Sequence, residues 1–360
     1  MTQFEQDPRS AFDKLAAVFS SYSQATAKAE QIFSPIVQHF LIAGKVFELR
    51  FAGDALIAPI TQSLRHQAIE PPSHSSVDYR FTLADSASTG IYPEAPPFAA
   101  SEYQRFGKRV VVDNGQYAVM HSPNDGILFA YNRAERQGVF WTPKAEQLSI
   151  YDRAAPLQTL LHWALSEHNW HIVHAAALGT ENGGVLLVGN SGAGKSSTAL
   201  SCLEHSELKY LSDDKCLVSL EGGASASCIY NAGKLKDDML GRFPHLHALA
   251  EGRDIVNGVG KNLVFLHPAY QQRMVRTLRL KAIVIPRIRH RDSPMLSPAT
   301  PADAFRVLGP SSVIWMPGAE TGHYAFLARL THALPCLFLD LAKNPTDNLT
   351  AIQQVITQHS

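Results

Sequence analysis

The chain has 360 residues, of which 45% are hydrophobic and 18% are charged, and its 32 Lys and Arg residues balance its 32 Asp and Glu residues. This is ordinary globular composition, which excludes a mainly disordered chain and a low-complexity fibre. The balanced charge excludes a molecule-wide field that would concentrate nucleic acid or an anionic membrane. At roughly 150 residues per domain, the length favours two domains over one.

The cysteine pattern and the absence of long apolar runs bear on cellular setting. The four cysteines are far apart and form no C-x-x-C pair, which is typical neither of a disulfide framework nor of a thiolate zinc site. No stretch approaches the roughly 18 apolar residues that span a bilayer, and the first residues lack the apolar core of a signal peptide. We therefore expect a cytoplasmic protein with no nucleic-acid or membrane partner, and assembly into a homo-oligomer stays open.

The first 150 residues predict a leader followed by a β-rich α+β domain. Residues 1–30 are interpreted as a loose leader with a short amphipathic helix. Residues 37–51 indicate two strands hinged at Gly44, and residues 54–66 follow a helical pattern. Five later segments alternate apolar and polar residues and predict mostly antiparallel β structure in residues 31–150: VDYRFTLAD, KRVVVDN, QYAVMHS, GILFAYN and QGVFWT.

The pattern changes after residue 150, and residues 151–360 predict an α/β domain. Leucine spacing predicts an amphipathic helix over residues 155–169, so the domain boundary is expected just before it. A loop of residues 251–262 contains three glycines and is long enough to act as a lid. The adjacent KYLSD and CLVSL strands predict some mixed parallel and antiparallel pairing in this domain. Strands and helices interleave in this order: GVLLV strand, KSSTALSCL helix, KYLSD and CLVSL strands, KAIVIPRI strand, PADAFRVL helix, ETGHYAFLARLTHAL helix, PCLFLDLA strand and a final helix near 347–359.

The clearest chemical signal is the segment GNSGAGKS at residues 189–196, which fits the Walker A pattern G-x-x-x-x-G-K-[ST] between an apolar strand and a helix-forming run. Glycines let backbone N–H groups turn inward around a polyphosphate, and the helix points its positive end at the same anion. Lys195 would reach the β and γ oxygens, and Ser196 would offer its hydroxyl to Mg²⁺. A plain Gly/Ser turn is the alternative. The predicted nucleotide-binding residues are Gly189, Asn190, Ser191, Gly192, Ala193, Gly194, Lys195, Ser196 and Ser197.

Two adjacent carboxylates, Asp213 and Asp214, follow the KYLS segment and so lie at a strand end near the expected phosphates. One could hold Mg²⁺ while the other accepts a proton from an attacking hydroxyl, which phosphoryl transfer requires beyond positioning and charge neutralisation. Adjacent strand residues point to opposite faces, so the two roles are interchangeable at this point. The alternative is a solvated turn between two strands.

Histidines and basic residues around the motif are further candidates. The segment His171-Ile-Val-His174 lacks the glutamate and helical spacing of an H-E-x-x-H zinc site, and His174 is either structural or faces the phosphates. Basic side chains could neutralise charge in a transition state, although most lysines and arginines of a protein are solvated. The candidates are Lys234, Arg253, Lys261, Arg287 and Arg289.

The segments VLLVGNSGAGKSSTAL, LSDDKCLV and HIVHAAAL together resemble the HPr kinase/phosphorylase-like family of P-loop serine kinases, over about residues 152–360. The core of that family is similar to that of phosphoenolpyruvate carboxykinase. The resemblance implies that Lys195 and Ser196 bind ATP and Mg²⁺ and that Asp213 serves as the base. It also implies that Asp214 supports the metal and that His174 lies near the phosphates.

Two departures from that family point away from HPr as the substrate and from the phosphorylase reaction. Ser197 and Thr198 follow the GKS where HPr kinases carry Glu-Thr, and their glycine-rich C-terminal signature is missing. The N-terminal part resembles HPr-kinase-like proteins of ribosomal-peptide pathways, including lasso peptide kinases. We therefore expect an ATP- and Mg²⁺-dependent kinase acting on a serine of a peptide or protein. The alternatives are a small-molecule kinase and a nucleotide-binding regulator without catalysis.

Overall fold

A computed structural model describes residues 8–72, 76–98, 104–106, 109–205, 207–256, 259–313 and 320–359. The chain divides into two compact units that do not follow a single boundary. The first unit comprises Met1–Gln62, Gln67–Leu148 and Pro156–Glu167, and the second unit comprises Ser63–His66, Ser149–Ala155 and His168–Ser360. The lid tip and the start of the leader lie partly outside the described residues.

The described residues form helices and strands in comparable amounts, so the chain is a mixed α/β protein. The helices are α1 (Pro8–Ile32), α2 (Ile57–Leu64), α3 (Ser86–Thr89), α4 (Ile150–Ala154), α5 (Gln158–Ser166), α6 (Lys195–His205), α7 (Asp237–Leu240), α8 (Pro301–Val313), α9 (Glu320–Ala333) and α10 (Pro345–Gln358). The strands are β1 (Ile36–Ile42), β2 (Lys45–Phe51), β3 (Ala68–Ile69), β4 (Tyr79–Asp85), β5 (Gln104–Phe106), β6 (Arg109–Asp113), β7 (Tyr117–His121), β8 (Leu128–Asn132), β9 (Gln137–Thr142), β10 (His171–Val173), β11 (Ala176–Thr180), β12 (Gly183–Leu187), β13 (Lys209–Ser212), β14 (Cys216–Ser219), β15 (Ser225–Ser227), β16 (Ala232–Lys236), β17 (Ala250–Val256), β18 (Val259–Phe265), β19 (Thr277–Arg291), β20 (Met295–Ala299) and β21 (Cys336–Ala342).

The first unit is built on one sheet with the strand order β3-β1-β2-β4-β9-β8-β7-β6-β5. Pairing is antiparallel except where β4 runs parallel to β2 and to β9, so the mostly antiparallel structure predicted for this region is confirmed. Helix α1 is a well-packed element rather than a loose leader. Its apolar residues recur at helical spacing, and Leu15, Val18, Phe19 and Tyr22 are buried against this sheet.

The helix predicted over residues 155–169 is shorter in the structure and belongs to the first unit. Helix α5 begins at Gln158, and its Leu160 and Trp163 are buried. The preceding α4 belongs to the second unit and begins with a capping box, in which Ser149 and Asp152 satisfy each other's backbone N–H groups. The chain therefore passes from the first unit to the second between Leu148 and Ser149, and back again between Ala155 and Pro156.

The second unit contains a sheet with the order β10-β14-β15-β19-β12-β11-β13, and β21 continues it from β19. Strand β12 runs parallel to β19, and β19 runs parallel to β21. Strand β11 lies antiparallel between β12 and β13, so β12, β13, β19 and β21 all end at one edge, called the carboxyl edge below. The mixed pairing predicted for this domain is confirmed, because the sheet combines parallel and antiparallel neighbours; β13 pairs with β11, while β14 pairs with β10 and β15.

Helices cover both faces of this sheet, which explains why its central strands are apolar in nearly every position. Side chains alternate between the two cores: Leu187 packs with α6 and α10, whereas Leu186 packs with α8 and α9. The central strands are therefore held rigidly, and polar side chains enter only where the strands end.

A separate three-stranded sheet has the order β16-β18-β17. The prediction that residues 251–262 form a loop was wrong, because most of this segment forms the antiparallel pair of β17 and β18, with Arg253 opposite Asn262. Arg253 forms an ion pair with Asp237 at 2.7 Å, and the Asn262 amide donates to the same carboxylate at 2.8 Å. These contacts join β17 and β18 to the start of α7.

Arg273 is expected to be a main stabilising residue of the second unit. Its guanidinium donates to the carbonyl oxygens of Cys202, Leu203 and Leu208, at 2.8, 3.2 and 3.2 Å, at the end of α6. Charge-assisted hydrogen bonds contribute about 1.5–3 kcal/mol each and do not add fully. We predict that Arg273→Met lowers the free energy of unfolding by about 2–4 kcal/mol, as measured by urea titration.

The matched control is Arg306→Met, which removes an exposed arginine that pairs with Asp303 within α8. Exposed pairs contribute about 0–1 kcal/mol. Equal destabilisation by the two substitutions would contradict the role assigned to Arg273.

Candidate active site

The glycine-rich loop of residues 189–194 joins β12 to α6 at the carboxyl edge. Gly192 and Gly194 have φ values of +84° and +101°, which L side chains rarely adopt. A Cβ on Gly194 would lie 2.5 Å from Leu341 Cδ1 at the end of β21, so the loop rests closely on that strand. Residue 194 therefore has to be glycine for two independent reasons, its positive φ and the close contact with Leu341. The loop leads directly into the first turn of α6, whose backbone N–H groups have no partner within the helix.

Lys195, the first residue of α6, folds back over the loop. Its Nζ donates to the carbonyl oxygens of Gly189 at 2.5 Å and Asn190 at 3.3 Å, and the residue is only 6% exposed. Burial lowers the pKa of the Lys195 ammonium, and the nearby carboxylates of Asp213 and Asp214 act in the opposite direction. The loop thus holds a buried cation at its centre, beside two carboxyl groups.

Asp213 follows the last residue of β13 and is 5% exposed. Within the part of the chain that the structure describes, neither of its carboxylate oxygens has a hydrogen bond of ordinary geometry. Burial and then the neighbouring Asp214 raise the pKa of Asp213, while the Ser196 hydroxyl and the charges of Lys234 and Lys195 act in the opposite direction. Asp213 is therefore a buried carboxyl group beside the start of α6.

Asp214 is held by two basic groups, in contrast to its neighbour. Lys234 Nζ lies 2.6 Å from one carboxylate oxygen, and His174 Nε2 lies 3.0 Å from the other. Burial opposes the charged form, but Lys234 and the hydrogen bond from His174 hold the pKa of Asp214 well below its usual range. The φ of Asp214 is +67°, and this backbone turn separates the two carboxyl groups. A solvated Asp-Asp turn does not describe this pair.

His174 is positioned between β10 and β11 by helix α8. Its backbone N–H donates to the Ser312 hydroxyl at 2.9 Å, and its Nδ1 lies 3.3 Å from the Ser311 carbonyl oxygen. Both ring nitrogens of His174 therefore lie next to oxygen atoms, Nδ1 beside α8 and Nε2 beside Asp214. His171 instead stacks on Phe326 with a ring separation of 4.0 Å, which is a core contact.

Lys234 reaches the site from strand β16. Its ammonium lies 4.7 Å from the ring centroid of Tyr151, and Lys261 lies 5.4 Å from the same ring. Burial lowers the pKa of Lys234, but Asp214 outweighs this effect and the net pKa is raised. The cation is thus fixed between a carboxylate and an aromatic face.

The structure brings most of the sequence-predicted residues to the carboxyl edge. Asn190 and Ser191 are exposed on the loop, whereas the Ser197 hydroxyl turns toward the sulfur of Met239 at 3.8 Å. Arg289 is exposed, and Arg253 lies with Asp237 on the smaller sheet. The residues that meet at the carboxyl edge are Gly189, Ala193, Gly194, Lys195, Ser196, Asp213, Asp214 and His174.

Sequence reasoning missed the partners of these residues. Ser312, Tyr151 and Asp340 were not singled out, although Asp340 carries a detectable signal, a carboxylate that interrupts the apolar strand β21. Among the described residues there is no group of three or more His, Cys, Asp or Glu side chains that could hold a metal by itself. Mg²⁺ commonly takes one or two protein carboxylates and completes its ligands with substrate phosphates and water.

No protein-family model matches the chain, and no curated protein matches it. Among solved structures it is similar to the HPr(Ser) kinase/phosphatase from Coxiella burnetii, with 12% sequence identity and a TM-score of 0.28. The similarity covers 52% of this chain and 95% of that chain. It is a distant likeness of fold, and no residue role is taken from it. In the described residues no helix combines the length and the apolar character needed to cross a membrane.

We predict that Gly194→Ala destabilises the protein more than Gly192→Ala. Both substitutions place an L residue at positive φ, at roughly 1–2 kcal/mol each. Only Gly194 has a close neighbour, Leu341, whereas a Cβ on Gly192 has nothing within 4 Å. We expect an additional loss of about 1–3 kcal/mol at Gly194 from overpacking, measured by urea unfolding without nucleotide.

The double variant Gly194→Ala, Leu341→Ala separates the two causes, because it removes the contact but leaves the positive φ. When it is introduced into the Leu341→Ala variant, Gly194→Ala should lower the free energy of unfolding no more than Gly192→Ala does in the wild type. Equal losses for Gly192→Ala and Gly194→Ala would contradict the close packing of the loop on β21.

Proposed function

We propose that this protein is an ATP- and Mg²⁺-dependent kinase that transfers the γ-phosphoryl group to a serine hydroxyl of a peptide or protein. The observation that carries the proposal is the pair of opposed charges at the carboxyl edge. Lys195 is buried over a glycine loop, and Asp213 is buried beside Ser196, with neither carboxylate oxygen in a hydrogen bond of ordinary geometry to any described residue. A cation for the phosphates and a carboxylate for the acceptor proton are the parts that phosphoryl transfer demands.

Phosphate binding follows from the loop and from the start of α6. The N–H groups of the first helical turn have no partner within the helix and carry a partial positive charge. Lys195 would exchange the carbonyl oxygens of Gly189 and Asn190 for the β and γ oxygens of the nucleotide. The backbone N–H groups of residues 190–197 would complete the cradle, including that of Ser197, whose side chain points elsewhere.

Residues present at the site fit a hard divalent cation. The Ser196 hydroxyl and the oxygens of Asp213 and Asp214 are the ligand types that Mg²⁺ prefers. Among the described residues, no hydrogen bond of ordinary geometry occupies the oxygens of Asp213. We assign Ser196 and Asp214 to the cation and Asp213 to the proton. The raised pKa of Asp213 suits a proton acceptor, whereas Asp214 is kept ionised by Lys234 and His174. When bound, Mg²⁺ would supply positive charge that neutralises the phosphates.

In the proposed reaction, the oxygen of the substrate hydroxyl forms a bond to the γ-phosphorus. Asp213 takes up the proton that this hydroxyl loses. The bond between that phosphorus and the oxygen bridging to the β-phosphate breaks, and ADP leaves with the electron pair of that bond. Lys195 stabilises the charge on the oxygens around the transferred group. His174 and Lys234 hold Asp214 in place, because both of its oxygens already have a partner on the protein.

Two alternatives use the same nucleotide site. A small-molecule hydroxyl could replace the serine, and a regulator could bind ATP without catalysis. An unpaired buried carboxylate costs stability, and a protein that only binds nucleotide has no use for one. Asp213 therefore argues against the regulator. Incubation with labelled ATP alone, with a serine-containing peptide pool and with a metabolite pool separates the three functions by where the label arrives.

We predict that Lys195→Ala abolishes phosphoryl transfer and weakens ATP binding while the fold persists. Removing one charged contact to a phosphate should lower affinity roughly tenfold to hundredfold. Wild-type protein should bind ATP much more weakly when Mg²⁺ is withheld, because Lys195 alone would face the β and γ charges. Titration calorimetry with and without Mg²⁺ measures both effects.

Lys343→Ala is the control for Lys195→Ala, because Lys343 is exposed and pairs with exposed Asp292. Affinity and transfer in that variant should equal those of the wild type. Unchanged ATP affinity in Lys195→Ala would remove this nucleotide site from the proposal. Equal ATP affinity of the wild type with and without Mg²⁺ would remove the metal from it.

We predict that Asp213→Asn makes the ligand-free protein more stable and the enzyme much slower. Asparagine removes an unpaired buried charge and its repulsion with Asp214, which should raise the free energy of unfolding by about 1–3 kcal/mol. It cannot accept the acceptor proton, so single-turnover rates should fall about 10²–10⁴-fold with ATP affinity near that of the wild type.

Asp214→Asn is the matched variant and should behave in the opposite way. It breaks the contacts to Lys234 and His174, so it should lower stability and raise the Mg²⁺ concentration needed for transfer. Wild-type turnover in Asp213→Asn would exclude this carboxylate as the base. A raised Mg²⁺ requirement in Asp213→Asn, with normal Mg²⁺ dependence in Asp214→Asn, would exchange the two roles.

A further inference from the structure

A second charged pair lies at the carboxyl edge, on the side of β12 opposite the aspartates. Arg287 of β19 stands beside Asp340 of β21 in the parallel register, and its Nε lies 2.6 Å from Asp340 Oδ1. The guanidinium carbon also lies 4.1 Å from the centroid of the Phe338 ring. Asp340 is only 4% exposed. The guanidinium plane is thus fixed by a buried carboxylate and by an aromatic face.

The register places this pair at the sheet edge where the glycine-rich loop begins. Leu187, the last residue of β12, lies beside Val284 of β19, and Arg287 comes three residues later, beyond the end of β12. Leu341, which follows Asp340 and points to the opposite face of β21, lies close to Gly194 of the loop. Strand β11, which follows His174, and strand β13, which ends just before Asp213, lie on the other side of β12. In strand order, the loop therefore lies between the strands next to the carboxylates and the strands that carry Arg287 and Asp340.

The contacts of Arg287 leave its terminal amino groups available. Among the described residues, Asp340 is its hydrogen-bond partner, through Nε, and the arginine side chain is 29% exposed. Two NH₂ groups with four N–H donors therefore project from a fixed plane. Seven register pairs already join β19 to β21, so this ion pair is not needed to hold the strands together. A planar fork of this kind matches the oxygens of a phosphate or a carboxylate.

We propose that Arg287 binds an oxyanion of a substrate in the site described above, with Asp340 and Phe338 as its positioning residues. This inference rests on the proposed nucleotide site and adds a contact on the far side of it. The oxyanion is either the terminal phosphate of the nucleotide or an anionic group of the acceptor. Both groups present oxygens in the geometry that the guanidinium fork recognises. The nucleotide phosphate would bind with MgATP, whereas the anionic group of the acceptor would bind to protein that already holds the nucleotide.

Titration calorimetry on the full chain distinguishes the two sources. The first arm measures MgATP binding, and the second measures inorganic phosphate binding to protein saturated with a non-hydrolysable ATP analogue and Mg²⁺. We expect Arg287→Met to weaken one of them about tenfold to hundredfold. Loss in the first arm identifies the nucleotide phosphate, and loss in the second identifies an acceptor oxyanion. Arg287→Lys keeps the charge without the fork and should recover only part of the affinity.

Arg306→Met is the control for a general loss of positive charge, and thermal unfolding of each variant checks the fold. Wild-type affinity of Arg287→Met in both arms, while Lys195→Ala loses MgATP binding, would overturn this inference and leave the proposed function standing. Wild-type MgATP affinity in both Arg287→Met and Lys195→Ala would overturn the proposed nucleotide site and this inference together.

A double-mutant cycle tests the positioning role of Asp340. Asp340→Asn should weaken binding in the same arm as Arg287→Met, by a smaller factor, because the fork loses its fixed plane. Combined with Arg287→Met it should cause no further loss of affinity, since Asp340 acts only through the arginine. If Asp340→Asn lowers only the unfolding temperature and leaves both affinities unchanged, the pair is structural and the positioning role is wrong.

Discussion

Burial of two neighbouring carboxylates at the end of β13 is the constraint around which the second unit is arranged. Charged groups leave water only when other groups compensate them. Lys234 and His174 contact one oxygen each of Asp214, whereas Asp213 is compensated by the Ser196 hydroxyl and by the nearby charges of Lys234 and Lys195. The charge on Asp214 is thus balanced by fixed contacts, and the Asp213 carboxylate keeps its capacity to bind a proton.

Each compensating group arrives on a different element. Helix α8 holds His174 through Ser311 and Ser312, and the three-stranded sheet delivers Lys234 with Tyr151 packed against it. Strand β11 separates β12 from β13, which sets the aspartates two strands away from the strand that leads into the loop. The site is therefore a consequence of tertiary packing, although its most recognisable part is one short segment.

That division explains what the sequence could predict. Residues adjacent in the sequence determine the loop, the strand and helix on either side of it, and the position of Asp213 at a strand end. Glycine spacing and apolar periodicity therefore predict these features directly. The pairs Lys234–Asp214 and Arg287–Asp340 join residues 20 and 53 positions apart, and no local pattern predicts which cation meets which carboxylate. The full length and packing of helix α1, of which only a short loose helix was predicted, and the strand pair of β17 and β18 were missed, because polar or glycine-containing stretches hide elements that packing stabilises.

Features that oppose stability are concentrated at the carboxyl edge of this sheet. They include the positive φ values of two loop glycines and of Asp214, which is not a glycine, and the burial of Lys195. They also include the Asp213 carboxylate, whose oxygens have no hydrogen bond of ordinary geometry among the described residues. The strands beneath them are apolar and well packed on both faces, which supplies the free energy that such an edge requires. A fold selected only for stability would replace several of these residues, beginning with Asp213. Their common location at the carboxyl edge, where Arg287 and Asp340 also lie, is the arrangement that the proposed binding of a multiply charged anion requires.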